Sequence, residues 1–105
     1  MKKEKIMAIQ NITSNFAQKA IKEGKHFASV PLKNNEFANI LYNRHSVDCF
    51  ITQGDKIVGG RGASGSTKHV ANEIYKILDK ISGLVEKVDE FKNTTITGII
   101  NNFFS

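Results

Sequence analysis

The sequence predicts an α+β domain, and three observations carry that prediction. Val70, Ile74, Ile77, Leu78 and Ile81 fall along one stripe of a helix, with Asn72, Glu73, Lys76, Asp79 and Lys80 on the wet side. Val47 to Thr52 is rich in β-branched and aromatic residues and is followed, across Gln53-Gly54-Asp55, by Lys56-Ile57-Val58, which reads as a hairpin. Ile9, Ile12, Phe16 and Ala20 form an earlier helical stripe. The predicted order is α-β-β-β-α: a three-stranded antiparallel sheet carrying both helices on one face, with an extra C-terminal helical segment.

Each element has its own punctuation. Residues 1–8 read as a basic, flexible N-terminus and residues 9–82 as the core domain. Gly24 is placed to close the first helix, because glycine takes the left-handed conformation at little steric cost. Lys25 to Asn35, broken by Pro31 and a polar run, reads as a connection. Glu36 to Tyr42, with Phe37, Ile40 and Tyr42, suits a short strand ahead of the alternative, a helical turn. Gly59 to Gly65 is a glycine-dense segment with almost no side chain to bury, and Ser66 or Thr67 then caps the long helix. Gly83 interrupts the stripe and opens a C-terminal extension over residues 83–105. Its apolar residues Ile96, Ile99, Ile100, Phe103 and Phe104 must pack on the domain or meet a partner.

Composition bounds the function. At 105 residues the chain is one domain, and 40% hydrophobic against 24% charged residues excludes a disordered tract. No apolar run approaches the ~20 residues of a spanning helix, so no membrane is expected. A single cysteine, Cys49, and the lack of a secretory-type apolar stretch point to a reducing, intracellular and cytoplasmic setting. The formal net charge is +5, and residues 1–33 alone hold seven Lys against two Glu. Such a balance favours phosphate-bearing partners without naming one.

The chemistry concentrates where strand, glycine segment and capped helix meet. Backbone N–H groups and the positive end of a helix converge there, and Arg61, Lys68 and His69 add charge. Gly62 to Lys68 approaches a P-loop, but Thr67 stands where the second glycine is required and His69 where the hydroxyl residue is. Neither His26 nor His45 has a second ligand at metal spacing, and Cys49 reads as a small hydrophobe, so no metal, cofactor or catalytic residue is assigned.

Taken together, Val47 to Thr52, Gln53-Gly54, Ile57-Val58 and Gly60-Arg61-Gly62-Ala63-Ser64-Gly65-Ser66-Thr67-Lys68-His69-Val70 resemble the carboxy-terminal half of a double-stranded RNA-binding domain. The paired glycines fall at Gly60 and Gly62, the serine at Ser66 and the second lysine at Lys68; the first lysine position is Thr67 and the third Ala71. The resemblance implies that Lys68, with Thr67, His69 and Arg61, meets phosphates across the major groove. It also implies that His45, beside Arg44, and the first-helix residues Asn11 and Asn15 face the minor groove. Duplexes of A form expose 2′-hydroxyls in a wide minor groove and phosphates at the rims of a narrow major groove, which suits that division.

The function expected from this is non-catalytic binding of structured, double-stranded RNA. A second reading is a small interaction or inhibitor protein, homodimeric or bound to another protein, that uses Ile96, Ile99, Ile100, Phe103 and Phe104. Two others stay open: a pocket for a small phosphorylated ligand at Gly60 to Lys68, and a ribonuclease using His45, His69 or Lys68 as acid–base groups.

Overall fold

The computed structural model describes the backbone of residues 2–105 and the side chains of residues 12–105. Helix α1 (Lys2–Lys22) leads into four strands: β1 (His26–Pro31), β2 (Glu36–Asn43), β3 (Ser46–Gln53) and β4 (Lys56–Ser64). Helix α2 (Thr67–Ser82) follows. A C-terminal rod then runs from a short turn, α3 (Val88–Glu90), through a π-helical stretch (Phe91–Thr95) into α4 (Ile96–Phe104). The strands form one antiparallel meander in the order β1-β2-β3-β4. No described helix is long and apolar enough to cross a membrane.

The fold is α+β, with one more strand than the three predicted. The segment read as a connection contains β1, which pairs along its length with β2, from His26 opposite Tyr42 to Pro31 opposite Phe37. Its apolar residues do not repeat on one side because both sides are covered: Ala28 and Val30 pack against the larger core, and Phe27 against the smaller. Pro31 is tolerated as the last residue of an edge strand. Asn34 and Asn35 turn the chain into β2 with φ of 63° and 60°, a conformation asparagine accepts more readily than most residues.

The two long helices lie on opposite faces of the sheet, not on one. Successive residues of a strand point to opposite sides. Ile40, Tyr42, Val47 and Cys49 pack against Val70, Ile74 and Ile77 of α2. Leu41, from the other side of β2, is buried with Phe16 and Ala20 of α1, and Phe27 and Phe50 lean on the same cluster. The Phe16 and Phe50 rings stack with centroids 5.0 Å apart. Covering both faces explains why Ala38 to Tyr42 of β2 are buried without alternation.

Helix ends follow their predicted chemistry. Gly24 has φ +68°, its N–H donates to the Ile21 carbonyl, and the Lys25 N–H reaches back to the Ala20 carbonyl at 2.8 Å, closing α1 with a left-handed cap. Ser66 caps α2, its hydroxyl accepting from the His69 N–H at 3.2 Å, and the buried residues of α2 are the five of the predicted stripe. The glycine-dense segment is part of β4 rather than a loop. A Cβ built at Gly62 would lie 2.5 Å from Asp48 Oδ1 and 2.7 Å from the Val47 carbonyl oxygen, so glycine lets β4 close onto β3.

The C-terminal extension is helical and completes the larger core. Ile99 and Phe103 are buried in it, with Phe91 and Val85, and Ile96 packs against it. Val85 bridges Leu32, while the Lys33 N–H donates to the Leu84 carbonyl and the Glu86 N–H to the Pro31 carbonyl. These contacts fasten the chain after α2 beside the end of β1.

Candidate nucleic-acid interface

The turn between β2 and β3 is set by Asn43, whose Oδ1 accepts from the His45 N–H at 2.8 Å and the Ser46 N–H at 2.9 Å. The His45 carbonyl in turn accepts from the Gly65 N–H at 3.0 Å. That bond holds the β2–β3 turn against the start of α2, so that His45 and the exposed first turn Thr67-Lys68-His69 stand at one corner. The first turn of α2 carries no acidic residue. Lys68 makes no ion pair among the described residues. Cations at a helix N-terminus oppose its dipole, which disfavours them there unless an anion sits between.

The other sequence-predicted residues are placed differently. Arg44 lies in the same turn, but its Nη2 donates to the carbonyls of Phe104 and Ser105, at 3.2 and 2.9 Å. Arg61 lies on the α2 side of β4 and is held by Glu73, with Nε to Oε2 at 2.6 Å. The carboxylate raises the guanidinium pKa, and the charge of Arg61 is already matched within the fold. Asn15 is exposed on α1, which packs on the face of the sheet opposite to α2 and Lys68. Asn11 lies outside the residues whose side chains are described, as does the basic segment 1–8. The corner therefore brings together His45, Thr67, Lys68 and His69, with Arg44 adjoining, and leaves Arg61 and Asn15 apart.

Of the apolar residues proposed for a partner, Ile99 and Phe103 are buried in the protein's own core and Ile96 and Ile100 are partly covered. Phe104 alone is exposed, at 55%, its ring edge-on to Phe103. The tail cannot offer a partner the whole stretch while it remains folded.

Cys49 has the wrong environment for a nucleophile. It is buried in the larger core, and burial pushes its thiol up to about 11, although Arg61 and Lys80 pull the other way. Among the described residues no three His, Cys, Asp or Glu side chains gather where they could hold a metal ion. Comparison with family models, with curated proteins and with solved structures found no match.

Proposed function

We propose that this protein binds structured RNA without catalysing a reaction, and that it does so through the corner formed by His45, Thr67, Lys68 and His69. The observation that supports this most is the Gly65–His45 hydrogen bond, because it brings the β2–β3 turn beside the first turn of α2, which carries Lys68 and no acidic residue. Lys68 supplies a compact charge for a phosphate, and the Ser66-capped turn presents its remaining amides beside it. The overall charge of +5 supports capture of a polyanion. With α1 on the far face of the sheet, contact is made by this one patch. The reading is accordingly of phosphate recognition on an A-form rim, independent of base sequence.

The test is gel-shift titration of duplex RNA, duplex DNA and single strands at two salt concentrations. Duplex RNA is expected to bind most tightly. Lys68→Ala should weaken it about equally for all sequences and reduce the salt slope by roughly one. Unchanged affinity in that variant overturns the site.

A further inference from the structure

We infer that the cavity between β4 and the end of α2 binds a small apolar monocarboxylate, about the size of benzoate. This site lies toward the opposite end of α2 from the Lys68 corner, and its test does not involve RNA.

The cavity has two walls. In the β3–β4 pairing Ile51 stands opposite Gly59 and Cys49 opposite Arg61, all four on the side of the sheet that α2 covers. Ile77, Lys80 and Ile81 of α2, with Leu84 just beyond it, form the other wall. Cys49, Ile77 and Ile81 are buried and make up the inner end, whereas Lys80 and Leu84 are exposed and stand at the mouth. The cavity volume is about 130 Å³. An apolar void of ~150 Å³ accepts a benzene ring, so this space suits a ligand whose apolar part is one ring or a short branched chain.

Gly59 keeps the space open. Elsewhere in β4 glycine is explained by close approach: a Cβ at Gly62 would lie 2.5 Å from Asp48 Oδ1, and one at Gly60 3.3 Å from the Cys49 carbonyl oxygen. At Gly59 a Cβ would touch only Ile51, at 3.7 Å, an ordinary contact, and the backbone is not left-handed. Strands favour β-branched residues and are weakened by glycine, so neither sterics nor propensity calls for one here. A side chain at this position would grow into the cavity alongside Ile51.

Charge selects the rest of the ligand. Lys80 and Arg61 line the cavity and no carboxylate does. Both cations pull down on the buried Cys49 thiol, so their field reaches the inner end. Arg61 is matched by Glu73, whereas Lys80 forms no ion pair among the described residues. An apolar body against Ile51, Ile77 and Ile81 leaves an attached carboxylate at the mouth, beside Lys80 and in contact with water. A dicarboxylate would have to carry its second charge in among the isoleucines.

The experiment titrates the full, isotope-labelled chain with benzoate and follows the amide resonances. Saturable shifts are expected at Gly59, Gly60 and Arg61 and not at Lys68 or His69, with a dissociation constant on the order of 1 mM. Benzyl alcohol keeps the ring without the charge and should bind about fivefold more weakly. Lys80→Ala should weaken benzoate about fivefold and leave benzyl alcohol as in the parent, while Lys68→Ala changes neither. Gly59→Val should abolish saturable binding with a melting temperature at or above the parent's, because valine fills the space and suits a strand. Should that variant not fold, Lys80→Ala and the uncharged ligand decide the matter. Shifts that do not saturate or that centre on His69, equal binding of benzyl alcohol, indifference to Lys80→Ala, or full affinity in folded Gly59→Val overturns the inference. So does sedimentation showing a dimer that Gly59→Val dissociates, which would assign the space to a second copy.

Discussion

Arg61 of β4 and Glu73 of α2 form a forked ion pair, Nε donating to Oε2 at 2.6 Å and Nη2 to Oε1 at 3.1 Å. The pair fastens the glycine-rich edge strand to the helix that follows it. Two parallel bonds on a planar guanidinium give geometric selectivity that lysine could not.

The pair makes separate predictions for stability and binding. Arg61→Ala and Glu73→Gln should each lower the denaturant midpoint, and the double variant should fall little further than either alone, because both remove one interaction. Arg61 lies apart from the corner of His45 and Lys68, so Arg61→Ala should leave duplex RNA affinity and its salt slope unchanged, measured by gel shift. A salt slope reduced by about one, as expected for Lys68→Ala, would place Arg61 on the bound surface.

The glycine spacing at 60 and 62 has an explanation inside the fold, and alanine substitution separates its two members. At Gly62 a Cβ meets Asp48 Oδ1 at 2.5 Å and the Val47 carbonyl at 2.7 Å, a clash that backbone must relieve. At Gly60 the nearest atom is the Cys49 carbonyl, at 3.3 Å. Gly62→Ala should cost about 1–3 kcal/mol and Gly60→Ala less, by chemical denaturation. Equal costs would show that the strand pair has room the geometry denies it.

These glycines mark where sequence reasoning succeeds and where it stops. The α2 stripe from Val70 to Ile81 was legible because one face of one helix is buried, and helical periodicity reports that directly. Strand β1 was not, because Phe27 goes to one layer while Ala28 and Val30 go to the other, leaving no alternation. The run of apolar residues from Phe37 to Tyr42, interrupted only by Asn39, carried the signal that both faces of the sheet are covered. Lys68 and His69 could be placed from the helix cap alone. The diversion of Arg61 to Glu73, twelve residues on, and of Arg44 to the tail carbonyls, sixty residues on, depends on tertiary approach that spacing does not encode.

Asn39 interrupts that run and is fully buried on the α1 side of the sheet. Its Nδ2 donates to the Phe50 carbonyl and to Thr52 Oγ1, both at 3.1 Å, and its Oδ1 accepts from the Ser29 hydroxyl at 3.3 Å. Three neighbours on the two flanking strands, β1 and β3, thus depend on one amide. Asn39→Ala should cost at least about 2 kcal/mol, since it leaves buried polar groups without partners. Thr52→Val should cost less in the Asn39→Ala background than in the parent, because the hydroxyl it removes is then already an orphan. A cycle in which the two costs simply add would mean the network does not act as a unit.

Cys49 predicts a pH dependence whose sign follows from burial. Its thiol titrates near 9.0 when exposed and is pushed up to about 11 in the folded protein, chiefly because the thiolate loses its hydration in the core. The unfolded chain therefore releases this proton first. The contribution to stability is complete below pH 9 and is lost progressively as pH rises through the folded-state value. A shift of this size corresponds to a loss on the order of 2 kcal/mol by the upper end of that window. Lysine titration adds its own slope in the same range, so the measurement is a comparison. Denaturation of the parent and of Cys49→Ala at pH 8 and pH 11 should show the variant less stable at pH 8, from its lost packing, yet less sensitive to the rise. Iodoacetamide at pH 8 should label the parent only as fast as the protein opens. Rapid labelling of the folded protein, or identical pH slopes for the two proteins, would show that the thiol is not held in the dry core.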